Sequence, residues 1–235
     1  MDFSLLKHIN QKPFDDNYVI IDETDDFLIV LKKYGVAVQA TDAGQDDLEK
    51  ILKEKYKSQI FVLNRIDQPV SGLVIFGKNK VFTEAFTEML KERVVKKTYL
   101  ALVAGNPEKE KTELRHFIKK LHNRAMTADE KVDENFKEAV LHYTLLQSFE
   151  NYHLLKIDLE TGRFHQIRAQ LATMEMPVKG DLKYGSRRPN LDRSICLLSY
   201  KLEFTHPFTA KKYVYQAPFP DNDVLWSLVD ISLID

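Results

Sequence analysis

Cysteine is nearly absent from this sequence, since Cys196 is the only one among 235 residues. A single cysteine cannot form a disulfide within the chain, and it has no partner thiol for a zinc site. No stretch approaches the roughly 20 apolar residues that a bilayer span needs. The first residues also do not combine a cationic start with a long apolar run, as a signal peptide would. These absences predict a protein of the cytoplasm, a reducing compartment, with no membrane partner.

A strong charge of either sign is also missing, because 34 Lys and Arg against 35 Asp and Glu give a net charge of −1. This balance argues weakly against a nucleic-acid partner, since such proteins typically have a basic domain. The charge is unevenly distributed, however. Residues 1–50 carry −6 and residues 219–235 carry −4, which leaves +9 on residues 51–218. A basic middle is typical of an RNA-facing surface, and an ordinary uneven surface is the alternative.

Short apolar runs separated by polar turns predict more strands than helices. Amphipathic spacing predicts helices over 45–57 and 79–93, and a third from near Thr161 to before Pro177. Strands are predicted within the ranges 18–39, 60–66, 72–78, 96–105, 138–159, 195–204 and 211–218, whereas 106–136 has no clear period. Short connections between strands favour a mainly antiparallel sheet flanked by a few helices, an α+β fold. Because no linker or repeat interrupts the pattern, we expect one domain over residues 1–235.

Two common kinds of site are disfavoured. Gly72 and Lys78 have the spacing of a phosphate-binding loop, but the four residues after Gly72 are Leu, Val, Ile and Phe, which favour a strand. Residue 79 is Asn instead of the Ser or Thr that would bind magnesium. The seven histidines lack the spacing of metal ligands, and together with the single cysteine they predict no metal site.

Two segments concentrate residues suited to catalysis and RNA binding. In residues 64–79, Asp67 follows an apolar strand and precedes a proline turn, with Arg65 two positions before it. Residues 159–188 carry polar side chains at the start of the predicted helix and basic ones on the loop after it: Arg163, His165, Gln166, Arg168, Lys179, Lys183, Arg187 and Arg188. Arginine recognises phosphate through several planar donors, and basic residues near glycines suit an RNA backbone. Alone, each segment also fits a plainer interpretation, a turn-capping Asp or a solvated helix start.

Together and in this order, the segments resemble the RluA-type family of pseudouridine synthases. The family's HRLDxxTSGLLLFAK stands here as NRIDQPVSGLVIFGK, and its Lys-x-Tyr strand as KKTYLALVAG. Its GRxHQIRxHLxxxGxPIxGDxxYG stands here as GRFHQIRAQLATMEMPVKGDLKYG. The resemblance spans about residues 17–220 and implies the pseudouridine synthase fold in one catalytic domain, without the separate N-terminal RNA-binding domain of many relatives. Departures at Asn64, Val70, 175–176 and 197–199 leave the target RNA open.

The resemblance implies that the protein converts a uridine of structured RNA, ribosomal or transfer RNA, to pseudouridine. It implies Asp67 as the catalytic carboxylate, Arg168 as the active-site arginine, and Tyr99 as the aromatic residue that stacks on the flipped base. Leu197 corresponds to an apolar pocket wall, and further contacts with RNA are expected from Arg65, Arg163, His165, Gln166 and Lys183. No cofactor is expected for a redox-neutral isomerisation, and we expect a monomer.

Two other functions fit parts of the sequence. A noncatalytic RNA-binding or assembly protein on the same fold would explain the basic middle, but it would not need Asp67, Tyr99 and Arg168 together. An unrelated hydrolase using Asp67 with a histidine would need a nucleophile elbow, which the sequence lacks. The charged segment 106–136 fits either an RNA clamp or a plain surface excursion.

Overall fold

The computed structural model describes residues 17–40 and 47–234, which form two compact units. Unit 1 contains the described residues of Met1–Val95 and Ser199–Pro218, and unit 2 contains those of Lys96–Leu198 and Phe219–Asp235. The single catalytic domain over 1–235 stays a prediction. The expectations for residues 1–16, 45 and 46 fall outside the described residues. Within the two described ranges, no helix has the length and apolar character to cross a membrane.

Strands outnumber helices in the described ranges, which confirms the α+β prediction. The strands are β1 (Tyr18–Glu23), β2 (Phe27–Lys32), β3 (Phe61–Val62), β4 (Ser71–Gly77), β5 (Lys96–Val103), β6 (Lys111–Leu121), β7 (Arg124–Ala128), β8 (Lys137–Ser148), β9 (His153–Leu159), β10 (Leu197–Thr205) and β11 (Lys212–Gln216). The α-helices are α1 (Leu48–Tyr56), α2 (Lys80–Lys91), α3 (Gln166–Thr173) and the single turn α4 (Val224–Ser227). A 3-10 turn at Leu182–Tyr184 follows α3.

In unit 1 the strand order is β1-β2-β4-β10, with β3 beside β4 and β11 beside β10. The pairs β1–β2, β2–β4 and β10–β11 are antiparallel. All six residues of β2 are buried, which explains why this strand reads as a continuous apolar run instead of an alternating one. Phe27 packs against the rings of Phe82, Phe204 and Tyr213 at 5.1–5.4 Å between centroids. This aromatic cluster forms part of the hydrophobic core of unit 1.

In unit 2 the strand order is β5-β9-β8-β6-β7, and each neighbouring pair is antiparallel. The hairpin predicted over 138–159 is confirmed as β8 and β9, with Leu141 opposite Leu159. Helix α3 lies against β6 and β7. Because six of its eight residues are buried, α3 is a core helix that carries charged motif residues inside the unit.

Three predicted elements differ from the structure. The strand expected over 60–66 is reduced to the two residues of β3, so residues 63–70 form an extended loop and turn. The segment 106–136, which has no clear period, contains the β6–β7 hairpin, with Leu121 opposite Arg124 across a two-residue connection. The third helix begins at Gln166 and not near Thr161, because His165 has a left-handed backbone (φ 52°) that cannot continue a right-handed helix.

Candidate active site

Asp67 lies in unit 1 at the start of a tight turn between β3 and β4. The Val70 N–H donates to the Asp67 carbonyl oxygen at 3.0 Å, which closes the turn. Before the turn, the Asn64 side-chain oxygen accepts a hydrogen bond from the Ile75 N–H at 2.8 Å. Asn64, which stands where the family motif has histidine, therefore stabilises the local backbone. The Asp67 side chain is half-buried. The segment thus holds the candidate carboxylate on a turn that is fixed at both ends.

Gly72 anchors the other side of this turn at the start of β4. Its φ is +124°, and a Cβ added there would lie 2.3 Å from the Ser199 carbonyl oxygen in β10. Only glycine tolerates both the conformation and this close approach of two backbones. The Ser199 hydroxyl in turn donates to the Leu73 carbonyl at 3.0 Å. The contact between β4 and β10 therefore fixes one end of the turn that carries Asp67 to the sheet of unit 1.

A buried lysine, Lys32 at the end of β2, lies close to the Asp67 turn and was not among the predicted site residues. Its side chain has no exposed surface, and its ammonium donates to the carbonyl oxygens of Lys33, Val36 and Gln68 at 2.8, 2.9 and 3.3 Å. Burial lowers the pKa of Lys32 to about 7, while the negative charge of Asp67 raises it. Lys32 thus links the loop after β2 to the residue that follows Asp67 and adds positive charge near the carboxylate.

Arg65, the second predicted site residue of unit 1, is exposed on the same loop. Its guanidinium donates only a long hydrogen bond of 3.4 Å to the Gln39 side-chain oxygen. An exposed arginine with a weak protein contact can change partner at little cost, which suits contact with an RNA phosphate.

Arg168 lies in unit 2 on the first turns of α3, and its side chain is 4% exposed. Its Nε donates to Asp181 Oδ2 at 2.6 Å and its Nη2 donates to Asp181 Oδ1 at 2.9 Å. The guanidinium also lies over the Tyr184 ring, 4.9 Å from its centroid. A bidentate pair of this kind fixes the plane of the guanidinium. Asp181 and Tyr184 therefore hold the candidate arginine in one orientation, and sequence reasoning singled out neither of them.

Tyr99 and Leu197, two further predicted site residues of unit 2, are also buried, at 6% and 4% exposed. Tyr99 lies in β5 opposite Ile157 of β9. Leu197 begins β10, and its N–H donates to the Ile195 carbonyl at 2.8 Å. A rigid strand position limits the rotation of an aromatic side chain, as a stacking residue requires.

Three further predicted residues, Arg163, His165 and Gln166, lie in the turn before α3 and at the first position of the helix, and their contacts differ. Gln166 is 3% exposed, and its amide contacts the Thr161 hydroxyl at 2.8 Å and the Val140 carbonyl at 3.1 Å. These contacts favour a structural role, so contact of Gln166 with RNA stays a prediction. Arg163 is exposed and donates to the Glu138 carbonyl at 2.8 Å.

His165 is half-buried and has the left-handed backbone that ends the turn. A non-glycine residue in this conformation is strained, and such residues cluster at functional sites. Its Nδ1 lies 2.8 Å from the Tyr184 hydroxyl. Lys183, the remaining predicted contact, is exposed and donates to the Asn123 carbonyl at 3.0 Å.

The predicted residues are thus divided between the units. Asp67 and Arg65 belong to unit 1, and the others belong to unit 2. Within unit 2, one turn and one helix bring together Arg163, His165 and Arg168. Asp181 and Tyr184 also belong to this group. In the sequence they could have been found from the Gly-Asp and Tyr-Gly pairs at the end of the second motif.

Comparisons with known proteins bear on the family to which the chain belongs. The family model described as RNA pseudouridylate synthase matches residues 26–173, more than half of the chain. An uncharacterized RNA pseudouridine synthase of Bacillus subtilis, YhcT, is 30% identical over 209 residues, which cover 86% of this chain and 68% of that protein. The ribosomal large subunit pseudouridine synthase C of Rickettsia felis is 33% identical over 171 residues, which cover 72% of this chain but only 56% of that protein.

Among solved structures, human RNA pseudouridylate synthase domain containing 1 has a TM-score of 0.72 at 24% identity, covering 91% of this chain and 90% of that one. At this identity the likeness shows the fold. Together with the match over residues 26–173, it confirms the resemblance inferred from the motifs. The chain belongs to the RNA pseudouridylate synthase family.

Proposed function

We propose that the protein isomerises a uridine of ribosomal RNA to pseudouridine. The observation that carries the proposal is the family match over residues 26–173, which includes the motif residues Asp67, Tyr99 and Arg168. The name of the Rickettsia felis relative supports ribosomal RNA over transfer RNA as the substrate. A cytoplasmic location and a monomeric state belong to the same proposal.

The reaction breaks the bond between the ribose C1′ and N1 of uracil and forms a bond from C1′ to C5. The proton on C5 leaves and N1 gains a proton, so the balance needs neither an oxidant nor a cofactor. A stacked uridine must first leave its stack, at a cost of a few kcal/mol. We assign Asp67 to the cleavage step, either by attack on the sugar or by assisting the loss of the base.

The remaining roles follow from the environment of each side chain. The guanidinium of Arg168, fixed by Asp181, supplies a positive charge of defined orientation. Tyr99 offers a ring for stacking on the flipped base and a hydroxyl for removal of the C5 proton. The exposed residues Arg65 and Arg163 contact RNA phosphates.

Tritium release tests the proposal directly. Large-subunit ribosomal RNA transcribed with uridine tritiated at C5 loses its label to water as pseudouridine forms, and mapping of the product locates the modified position. Asp67→Asn should abolish the release while leaving the unfolding midpoint and RNA binding close to wild type. Asp25→Asn, an exposed acid in the same unit, is the matched control and should keep full activity.

Two results would contradict the proposal. Full activity of Asp67→Asn would remove Asp67 from its catalytic role. Tight binding of ribosomal and transfer RNA by the wild-type protein, without any modification in either, would favour the noncatalytic RNA-binding protein instead.

A further inference from the structure

A continuous series of ring contacts in unit 2 joins the tip of the β6–β7 hairpin to the turn before α3. The Lys120 ammonium lies 4.7 Å from the centroid of the Phe164 ring. Phe164 stacks on His165 with centroids 3.8 Å apart and planes 20° apart. His165 meets Tyr184 edge-on at 5.6 Å, and the Arg124 guanidinium lies 5.3 Å from the Tyr184 centroid. The hairpin therefore brings two cations onto aromatic residues next to a strained motif residue.

Hydrogen bonds fix the hairpin against these rings. The Tyr184 hydroxyl accepts a hydrogen bond from the Ala125 N–H at 2.6 Å and lies 2.8 Å from His165 Nδ1. Lys183 donates to the Asn123 carbonyl in the hairpin connection. The hairpin backbone is thus held in place, while the long side chains at its tip can move.

Some cations of unit 2 are paired with carboxylates and others are not. In the same unit, Lys119 pairs with Asp133 at 2.8 Å and Lys131 pairs with Glu134 at 3.0 Å. Within 17–40 and 47–234, the exposed cations Lys120, Arg124 and Lys183 have no carboxylate within 4.0 Å. Positive charge that the protein does not neutralise attracts a polyanion. We call Lys120, Arg124, Phe164 and Lys183 the cation–aromatic strip.

We propose that the cation–aromatic strip binds a single-stranded segment of the substrate RNA, with one unpaired base stacked on Phe164. This proposal rests on the proposed function and adds a second base contact outside the reacting uridine. His165 occupies one face of the half-exposed Phe164 ring, so the Lys120 ammonium lies over the other. A base gains more by stacking on an aromatic ring than an exposed cation does. The base therefore displaces Lys120, whose ammonium moves to the phosphate of the same nucleotide.

The combination of groups favours RNA over an acidic protein segment. Aspartate and glutamate side chains would use the cations but gain nothing from an aromatic face. Bases carry flat surfaces and phosphates together, and single-stranded RNA is recognised by that pairing of stacking and charge. Phe164 lies between Arg163 and His165 in the chain, as expected for a contact with a nucleotide that flanks the target.

Steady-state kinetics with the tritiated ribosomal RNA test the stacking contact. Phe164→Ala and Phe164→Leu should each increase KM by a factor between roughly 5 and more than 100, the range expected for loss of one stacked base. The kcat of both variants should stay within about twofold of wild type. Phe164→Trp keeps a stacking face and should restore KM. Phe208→Ala, which removes an exposed phenylalanine of unit 1, is the matched control.

The charges are tested by the salt dependence of binding to the same RNA. Lys120→Gln combined with Arg124→Gln should lower the slope of log Kd against log salt by about 1.4, since each contact with a single-strand phosphate contributes about 0.7. Lys131→Gln, an exposed cation already paired with Glu134, should leave the slope unchanged.

The outcomes separate this proposal from the proposed function. An active wild-type enzyme with an unchanged KM in Phe164→Ala overturns the stacking contact alone, as does a loss confined to kcat. An unchanged salt slope in the double variant overturns the phosphate contacts and favours a protein partner for the strip. If the wild-type protein releases no tritium from ribosomal or transfer RNA, the proposed function fails. Equilibrium binding of the variants to RNA still tests whether the cation–aromatic strip binds RNA.

Discussion

Replacement of Lys32 by methionine should remove a pH dependence of stability that the wild-type protein has between pH 7 and pH 10.5. In the folded protein, burial lowers the pKa of Lys32 from 10.5 to about 7. Each pKa unit corresponds to about 1.4 kcal/mol, so keeping this ammonium charged in the folded state costs roughly 5 kcal/mol. Below pH 7 both the folded and the unfolded chain bind the proton, so the full cost lowers the free energy of unfolding there.

The sign of the effect follows from the number of bound protons. Between pH 7 and 10.5 the unfolded chain holds the Lys32 proton more tightly than the folded one, and therefore the free energy of unfolding rises with pH. From pH 7 to pH 9 the expected rise is roughly 2 kcal/mol. Methionine matches the length of most of the side chain but cannot titrate. The loss of the three hydrogen bonds that Lys32 donates does not depend on the pKa of Lys32, so the variant lacks only this residue's contribution to the slope.

Urea unfolding at pH 7, 8 and 9 measures this difference for the wild type and the Lys32→Met variant. The difference between their free energies of unfolding should grow in favour of the wild type as pH rises, because contributions from other titrating groups cancel. Lys80→Met, which removes an exposed lysine on α2, should follow the wild type at every pH. A constant difference between wild type and Lys32→Met would show that the three carbonyl oxygens hold the ammonium charged, and the reasoning from burial would be refuted.

Two substitutions test other parts of the architecture. Asp181→Asn should lower the free energy of unfolding by about 3–5 kcal/mol, because it leaves the buried Arg168 without its charged partner; a urea midpoint unchanged from wild type would contradict this. Gly72→Ala should lower the thermal midpoint much more than Gly185→Ala. Both glycines have positive φ, but only the Cβ at Gly72 would strike a backbone, that of Ser199. Equal losses would mean that conformation alone, and not the close approach, constrains Gly72.

The sequence predicted most of the fold because its strands and amphipathic helices carry strong local patterns. The apolar run that ends at Lys32 is one such case, since it lies within the range predicted to form strands and is β2 in the structure. The start of α3 was predicted too early, because Thr161 and Gly162 fit a tight entry into a helix. In the structure, the hydrogen bond from the Thr161 hydroxyl to Gln166 closes a turn instead. That contact joins side chains five residues apart and depends on strand β8 behind them, so no local pattern encodes it.

The same limit applied to the residues around the predicted site. Asp67 and Arg168 could be assigned because they stand in family motifs, whereas Lys32 looked like an ordinary strand end and Asp181 like a loop acid. Their importance depends on burial, since the pairing of Arg168 with Asp181 and the carbonyl contacts of Lys32 matter only out of water. Tertiary structure decides burial, and the sequence reports it only indirectly.

Both buried cations are held by acceptors that the chain itself fixes, and this has a consequence for substitution. Arg168 uses two N–H groups in one plane toward Asp181, a geometry that lysine cannot reproduce, so the positive charge and its orientation are separable properties there. At Lys32 the acceptors are three backbone carbonyls around a compact ammonium, so the orientation of the ammonium matters little. Desolvation is the main cause of its lowered pKa. An Arg168→Lys exchange therefore keeps the charge and loses the alignment, while at Lys32 a change of pH alone removes the charge and leaves the fold. At Arg168 the orientation of the cation therefore matters most, whereas at Lys32 the charge itself depends on pH.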